Sequence, residues 1–308
     1  REDDTRYGFN RPSSVHHLVG NLKNKKINLW KHKIVSPDAA GQQMIYQYGA
    51  SLPGLAKGIM SLNFVKRKIS FIAEGAKTIK YDFPNILIET KPFETDIPLG
   101  FWRAVYDSQN SFANECFIDE LAYQGEIDPV ELRLKHLDSN SRSVAVIKKA
   151  AKESSWRTKL KEGRFHGFAY HHSFGSHVAE VAEISVSKSN KVRVHNVTCV
   201  VDCGQTVNPM TIRAQMQSAI VFGIGATLKS EITVNKGKVD QSNYDNYKVL
   251  RMDEMPRIDV HIIKNNEYPG GVGEPGLPPI APAITNAVYA ATGKRIRKLP
   301  IRPSDLRS

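Results

Sequence analysis

A single carboxylate, that of Glu274, lies in a stretch built almost entirely from glycine and proline. Between Pro269 and Pro279, only Val272, Glu274 and Leu277 are neither glycine nor proline. Glycine adopts backbone conformations that other residues avoid and proline fixes φ, so the sequence itself constrains the path of this loop. The pattern predicts a rigidly held glutamate, which is what a general base requires. Such clusters also occur in ordinary surface loops, where a glutamate is merely solvated.

A helix is predicted directly after this loop. Residues 279–293 begin with proline, continue with alanines and spaced aliphatic side chains, and end in Gly293, and basic residues follow at 294–298. Proline at the start and glycine at the end are typical of helix boundaries. Because the N-terminal end of a helix attracts negative charge, we expect Glu274 to be held as an ionised carboxylate just before this helix.

Helix patterns and strand patterns come in separate runs along the chain. The predicted elements are helices at 108–124, 128–137, 143–154, 208–228 and 279–293, strands at 26–35, 166–174, 177–187, 191–202 and 257–263, and a hairpin at 231–242. Separate runs favour an α+β fold with mixed sheets and packed helices. We predict a first part, residues 1–160, and a second part, residues 161–308, which contains the hairpins, the 208–228 helix and the glutamate loop.

Composition excludes several classes of protein. The chain has 308 residues, of which 41% are hydrophobic and 24% charged, so it is not disordered. It lacks the run of about 18 apolar residues that would span a membrane. The net charge of +12 comes from short, scattered basic groups without a nucleic-acid-binding signature, so nucleic-acid binding is not favoured. A basic face toward an acidic partner protein or an anionic cofactor fits this charge as well.

Cysteine and histidine residues are candidate metal ligands of the chain. Cys116, Cys199 and Cys203 contain no CxxC pattern and are too few for a disulfide framework. Cys199 and Cys203 are expected to point to the same face of a strand and to pack in the core. The adjacent His171 and His172 are expected to point to opposite faces of a strand, which argues against both binding one ion.

Several long segments, in their order along the chain, resemble one enzyme family. The segments VDCGQTVNPMTIRAQMQSAIVFGIG, YKVLRMDEMPRIDVHII and GVGEPGLPPIAPAITNAVYAATGKRIRKLPI resemble the molybdenum-binding subunit of the xanthine oxidase and aldehyde oxidoreductase family. The segments WRAVYDSQNSF, FIDELA and REDD followed by RPSSVHH resemble its isoquinoline oxidoreductase branch, also described as membrane-associated aldehyde dehydrogenases. The resemblance covers nearly the whole chain, is weakest over residues 38–90, and implies the C-terminal portion of a molybdenum cofactor-binding domain.

This resemblance implies roles for four residues. Glu274 would be the general base beside molybdenum, where it activates water as the source of oxygen. Arg103 would face the substrate pocket and stabilise negative charge. Gln215 would hydrogen-bond the pterin of the cofactor, and Gly273 would lie against the cofactor. A structural ion pair or stacking on the preceding tryptophan is the alternative for Arg103, and a solvated position in a helix is the alternative for Gln215.

The resemblance also implies cofactors, partners and a location. The cofactor would be molybdenum in molybdopterin cytosine dinucleotide. Electrons would leave through a small subunit with 2Fe–2S clusters, and a cytochrome c subunit is a further candidate partner. The substrate would be a nitrogen heteroaromatic compound such as isoquinoline, or an aldehyde. The location would be periplasmic or membrane-associated, with a cytoplasmic location left open. The alternative function is a non-catalytic scaffold or binding protein that retains the fold.

Two glycine-rich loops of the family are missing from this sequence. In this branch its GGxFG and MGQG-type loops would lie upstream of residue 1. We therefore expect the C-terminal part of a longer subunit, which holds the base and only part of the cofactor cradle. On this expectation the isolated chain binds no molybdenum cofactor, has no hydroxylase activity, exposes an apolar face and self-associates.

Overall fold

The computed structural model describes residues 8–43 and 71–307, which contain two larger sheets, one short hairpin and five α-helices that lie wholly within these ranges. The strands are Val15–Lys23 (β1), Lys26–Pro37 (β2), Asn85–Phe93 (β3), Phe165–Ser173 (β4), Ser176–Val186 (β5), Val192–Asp202 (β6), Val234–Asn235 (β7), Lys238–Val239 (β8) and Arg257–Ile262 (β9). The helices are Asp107–Gln124 (α1), Pro129–Leu134 (α2), Arg142–Glu153 (α3), Pro209–Leu228 (α4) and Ile280–Thr292 (α5). The predicted α+β class, with mixed sheets and packed helices, is confirmed.

The four-stranded sheet has the order β4-β5-β6-β9. Strands β4, β5 and β6 are antiparallel neighbours, while β9 runs parallel to β6. A two-residue turn, Phe174 and Gly175, joins β4 to β5, and both of its residues have positive φ. Such turns match the right-handed twist of paired strands, so they fix the register of this hairpin.

Two hydrophobic cores lie on opposite faces of this sheet. Helices α4 and α5 pack on one face, around residues such as Met216 and Ile284. Helices α1 and α3 and strand β2 pack on the other, around residues such as Trp30 and Phe168. Gly167 allows the close approach of α5, because a Cβ atom there would lie 2.1 Å from the carbonyl oxygen of Ala283. The second core draws on both predicted parts of the chain, and the division at residue 160 stays a prediction.

The three-stranded sheet has the order β1-β2-β3, and the sequence patterns predicted only its middle strand. Strand β1 is antiparallel to β2, and β3 is parallel to β2. Along β1 half-buried residues alternate with exposed ones, and β3 is exposed almost throughout. The contribution of this sheet to a core comes mainly from β2, in which Ile27, Trp30 and Ile34 are buried.

Helix ends agree with the sequence patterns at two places and differ at one. The side chain of Asn208 caps α4 by accepting from the backbone N–H groups of Met210 and Thr211, and Gly293 ends α5 with φ 71°. The helix predicted at 128–137 is too long, since α2 ends at Leu134. There the chain turns so that the His136 ring accepts from the backbone N–H of Ile27 at 2.8 Å. None of the described helices is long and apolar enough to cross a membrane.

The cysteines and the adjacent histidines lie as expected. Cys199 and Cys203 are both buried in the core on the α4 and α5 side, and all three thiols are free. His171 pairs with Asp107 at 2.7 Å. His172 instead lies against His177, with ring centroids 4.5 Å apart. Within residues 8–43 and 71–307, no three histidine, cysteine or carboxylate side chains are grouped so that they could hold a metal ion.

Candidate functional site

The loop that carries Glu274 is anchored on the ends of the four-stranded sheet. The backbone N–H of Gly270 donates to the carbonyl of Cys203, just after β6, at 2.8 Å. The N–H of Gly271 donates to the carbonyl of Phe174, in the turn between β4 and β5, at 2.7 Å. The Ser176 hydroxyl donates to the carbonyl of Gly271 at 2.7 Å. The start of the loop is therefore attached to the most completely buried sheet.

The other end of the loop packs against α4 before it enters α5. At Gly276 a Cβ atom would lie 2.9 Å from the sulfur of Met216, so any larger residue there would require the Met216 side chain to shift. Leu277 is buried in a small cluster with Ala104 and Ala219. Glu274 thus lies between two anchored segments, which restricts the positions that its side chain can reach.

The carboxylate of Glu274 is held by the segment that precedes α1. Its Oε1 accepts from the backbone N–H of Ala104 at 2.9 Å. Ala104 and Val105 both have positive φ, at 68° and 42°, which is costly, above all for the β-branched Val105. The sequence pointed to the helix after the loop as the group that stabilises this carboxylate. Helix α5 begins only at Ile280, and the observed donor is Ala104.

The guanidinium group of Arg103 joins the glutamate loop to α4. Its Nε donates to the carbonyl oxygen of Gly273 at 2.8 Å, and Nη2 donates to the same oxygen. Nη1 donates to the Ser218 hydroxyl at 2.9 Å, and Nη2 also donates to Oε1 of Gln215 at 2.9 Å. Burial lowers the pKa of Arg103, while the charge of Glu274 acts in the opposite direction. Arg103 therefore brings the other three predicted site residues into one network.

A cavity of about 630 Å³ opens beside this network. Its lining residues are Arg103, Gln217, Ser218, Val221, Phe222 and Met255. Trp102 stacks on Phe222 with ring centroids 4.9 Å apart, and the guanidinium of Arg11 lies 4.1 Å from the centroid of Trp102. The arginine that stacks on this tryptophan is therefore Arg11 and not Arg103. An apolar wall with one guanidinium group at its edge suits a small, flat organic molecule.

Two features of the network fit a polar cofactor. Apart from its two chain neighbours, no described residue has an atom within 4 Å of the position that a Cβ atom of Gly273 would occupy, so these residues leave space beside Glu274. The amide oxygen of Gln215 is engaged by Arg103. A ligand in this space would therefore meet the NH₂ group of Gln215 as a donor. The donors and the space present here fit a pterin edge.

Sequence reasoning named the side chains of this network but missed two of its members. Glu274, Arg103, Gln215 and Gly273 come together as described, and their roles in binding and catalysis stay predictions. The first missed member is the backbone N–H of Ala104, which leaves no mark on side-chain patterns. The second is Ser218, one helical turn after Gln215, and that spacing was a usable signal.

Comparison with known proteins shows to which family this chain belongs. A model of the molybdopterin cofactor-binding domain matches residues 117–256. The chain is 34% identical over 230 residues to the beta subunit of isoquinoline 1-oxidoreductase from Brevundimonas diminuta, a match that covers 73% of this chain and 29% of that protein. It is 33% identical over 247 residues to a nicotinate dehydrogenase subunit from Pseudomonas putida, covering 74% of this chain and 21% of that protein. The chain thus spans less than a third of the length of these relatives.

The fold is shared with a solved structure. Aldehyde oxidoreductase from Desulfovibrio gigas superposes on 99% of this chain, with a TM-score of 0.77 and 14% sequence identity, and the match covers 50% of that chain. At this identity the likeness establishes the architecture alone. Taken with the family model and the sequence relatives, it leads to one conclusion: the chain belongs to the molybdenum hydroxylase family and is part of a molybdenum-binding subunit.

Proposed function

We propose that the complete subunit is a molybdenum-dependent oxidoreductase that hydroxylates a nitrogen heteroaromatic compound or oxidises an aldehyde, with water as the source of oxygen. One observation carries this proposal. Glu274, fixed by the backbone N–H of Ala104, lies in one network with Arg103 and Gln215, although these residues come from three distant segments. A fixed carboxylate beside a polar, open space is the arrangement that a general base needs.

Bound molybdenum would supply a Lewis acid and an acceptor for the two electrons of the reaction. The residues of this chain supply the rest. The hydrogen bond from Ala104 fixes Oε1 of Glu274, so Oε2 is the oxygen that takes a proton from the attacking water. The loop anchors restrict the carboxylate further. A base that needs no reorientation loses little free energy in reaching the transition state.

The cavity beside Arg103 is the proposed substrate site. Val221, Phe222 and Met255 form an apolar wall, against which an aromatic ring or an aldehyde chain can pack. The guanidinium group at the edge of this wall would stabilise negative charge that develops on the substrate. Arg103 already donates to Gly273, Gln215 and Ser218. The same side chain would therefore also hold the glutamate loop and α4 in fixed relative positions.

We propose that electrons leave through another subunit. An iron–sulfur cluster needs about four cysteine ligands, and this chain has three cysteines, all of them buried. We propose a small 2Fe–2S subunit as partner, a cytochrome c subunit as a further acceptor, and the cytosine dinucleotide form of molybdopterin as cofactor. A periplasmic or membrane-associated location fits such a chain of carriers. The net charge of +12 suits an acidic partner or an anionic cofactor.

The decisive test is Glu274→Gln in the complete subunit with its iron–sulfur partner. The variant keeps the shape of the side chain and removes its ability to accept a proton. We expect kcat/KM to fall by roughly three to four orders of magnitude while the molybdenum content stays at the wild-type level. The matched control is Glu162→Gln, since Glu162 is an exposed glutamate remote from this network. Activity of the Glu274 variant within about tenfold of wild type would refute the assignment of the base.

A second test concerns the cofactor. Gln215→Ala removes one ligand contact, which is worth about 1–3 kcal/mol, and should lower molybdenum occupancy at limiting cofactor. Full loading of this variant would show that Gln215 serves only to hold Arg103. A complete wild-type subunit that carries no molybdenum would instead favour the alternative function, a scaffold that retains the fold.

A further inference from the structure

The side chain of Arg11 reaches the segment that leads into α1. Arg11 begins the stretch RPSSVHH, and its Cζ atom lies 4.1 Å from the centroid of the Trp102 ring. Its Nη2 donates to the hydroxyl of Ser108 at 2.8 Å. Trp102 and Ser108 are the two ends of segment 102–108, so one guanidinium group contacts this segment at both ends.

The backbone between these two contacts is strained and holds the glutamate loop. Ala104 and Val105 have positive φ, and such a conformation persists only where the surrounding structure imposes it. The Ala104 N–H donates to Glu274, and Arg103 donates to the carbonyl of Gly273. A change in the conformation of this backbone would therefore move the donor that fixes the carboxylate.

The two residues that Arg11 contacts make further contacts within the site. The Ser108 hydroxyl donates to the carbonyl of Val105, one of the two residues with positive φ, at 2.9 Å. Trp102 stacks on Phe222 of α4, with ring centroids 4.9 Å apart. Arg11 is therefore linked through one side chain to the strained backbone and through the other to α4.

The backbone beside Arg11 is itself anchored. The N–H of Asn10 donates to the carbonyl of Pro98 at 2.8 Å, and the N–H of Gly100 donates to the carbonyl of Asn10 at 3.0 Å. The residue after Arg11, Pro12, is buried, and its ring fixes φ. The guanidinium group therefore extends from a fixed point and can restrain the residues that it contacts.

No ion pair explains the presence of Arg11. Within residues 8–43 and 71–307, no carboxylate pairs with Arg11, and its buried Nε has no hydrogen-bond partner. Burial lowers the pKa of Arg11 to about 10, so the group remains charged at neutral pH. A buried cation without a counter-charge is costly, and stacking on Trp102 offsets only part of this cost. A residue that costs stability where it lies is a candidate for a role in function.

We propose that Arg11 is a positioning residue: by holding Trp102 and Ser108, it keeps the backbone between them in the conformation that directs the Ala104 N–H to Glu274. This rests on the proposed function of Glu274. Arg11 has no hydrogen bond to Glu274 and does not line the substrate cavity, so it acts on the base only through this backbone. Without Arg11 the segment would adopt other conformations, and Glu274 would spend less time in the orientation that accepts the proton.

The kinetic test is Arg11→Met in the complete subunit with its iron–sulfur partner. Methionine keeps an unbranched side chain and removes the charge and the hydrogen bond to Ser108. We expect kcat to fall about tenfold, with KM within about twofold of wild type and the molybdenum content unchanged, because the orientation of the base affects the chemical step. Arg11→Lys, which can still donate to Ser108 and lie over Trp102, should lose no more than about threefold. An unchanged kcat in Arg11→Met, or equal losses in the two variants, would overturn the proposal.

The matched control is Arg295→Met. Arg295 is also a stacked arginine: its Cζ lies 3.4 Å from the centroid of the Tyr289 ring, and its Nη1 donates to Asp119 at 2.6 Å. It follows α5, whereas the glutamate loop precedes this helix. We expect Arg295→Met to lower the Tm and to leave kcat per bound molybdenum as in the wild type. A fall in kcat equal to that of Arg11→Met would show a general effect of lost stability and would contradict a positioning role.

A second test does not depend on turnover. Amide hydrogen exchange of the complete subunit, followed by mass spectrometry, should be about tenfold faster for residues 102–108 in Arg11→Met than in the wild type, because this segment loses two restraints. Peptides from β5 should exchange as in the wild type. Unchanged exchange in 102–108, or faster exchange in both places, would refute the role of Arg11. If Glu274→Gln keeps full activity, the proposed function fails; if only the Arg11 results are negative, the assignment of the base is unaffected.

Discussion

The two larger sheets of the molecule differ in how completely they are covered. In the four-stranded sheet, β5 is buried along seven consecutive residues, because helices pack on both of its faces. In the three-stranded sheet, β1 alternates between half-buried and exposed residues, and β3 is exposed at eight of nine positions. The glutamate loop is anchored at the ends of β4, β5 and β6. The proposed chemistry would therefore depend on the sheet whose backbone has the least freedom to shift.

The largest expected difference between the sheets is in the stability lost when one glycine in each is replaced by alanine. In β4, a Cβ atom on Gly167 would lie 2.1 Å and 2.2 Å from backbone atoms of Ala283 and Ala287, so Gly167→Ala must displace α5. We expect a loss of about 4 kcal/mol or more, measured by urea denaturation. In β1, a Cβ atom on Gly20 would lie 3.0 Å from Phe117, 3.1 Å from the carbonyl oxygen of Leu29 and 3.2 Å from Leu121, so its neighbours need to move by only a few tenths of an ångström. Gly20→Ala should cost about 1 kcal/mol, and equal losses would remove the distinction between the sheets.

The second expected difference is in the stability lost when a buried ion pair and an exposed ion pair are each broken. Glu115 accepts from Nε of Arg133 at 2.8 Å, from the N–H of Tyr170 at 2.9 Å and from the hydroxyl of Tyr81 at 2.8 Å, and all of these groups are buried. Glu115→Gln leaves the buried cation without its counter-charge and should cost about 3 kcal/mol.

The matched change is Glu89→Gln in β3 of the three-stranded sheet, whereas Glu115 lies in α1 and accepts from β4 of the four-stranded sheet. The carboxylate of Glu89 lies 3.5 Å from the ammonium groups of both Lys31 and Lys33 on the exposed face of the three-stranded sheet. Exposed pairs of this kind contribute little, so the loss should be below about 1 kcal/mol. Thermal unfolding of both variants measures the contrast, and a loss at Glu89 as large as that at Glu115 would contradict it.

The same difference in burial explains which strands and helices the sequence could predict. Strands β4 to β6 and helices α4 and α5 carry strong apolar patterns and clear caps, such as Asn208 and Gly293, because their environment is apolar on defined faces. Strand β1, with the sequence VHHLVGNLK, has polar residues at most of its exposed positions and few β-branched ones. Strand β3 pairs in parallel with β2 across a long connection, and such a pairing leaves no local signal.

The site was predictable residue by residue but not as an arrangement. Glu274 stood out because its neighbours are glycine and proline, and Arg103 and Gln215 followed from resemblance. Their meeting depends on a contact across 170 positions, between the Ala104 N–H and the Glu274 carboxylate. A backbone N–H donor leaves no signal in the types of the side chains, so the sequence cannot indicate it.

Acid should destabilise both sheets through buried histidines. Burial lowers the pKa of His32, in β2, to about 3 and the pKa of His177, in β5, to about 4. An unfolded histidine has a pKa near 6.5, so the unfolded chain takes up protons first as the pH falls. The stability that each neutral ring provides is therefore complete above about pH 6.5 and is lost progressively below it. Between about pH 6.5 and 5, each ring should lower the unfolding free energy by about 2 kcal/mol.

Variants at these two histidines separate the sheets. Because His32 and His177 are both buried, His32→Asn and His177→Asn should each reduce the slope of unfolding free energy against pH by a similar amount, whatever they cost at pH 8. Urea denaturation at several pH values between 8 and 5 measures these slopes, and His17→Asn, at an exposed position of β1, is the control. If the slope changes for His177 alone, then His32 gains solvent before the molecule unfolds. The three-stranded sheet would then open locally, at a free energy below that of global unfolding, while the sheet that anchors Glu274 stays closed.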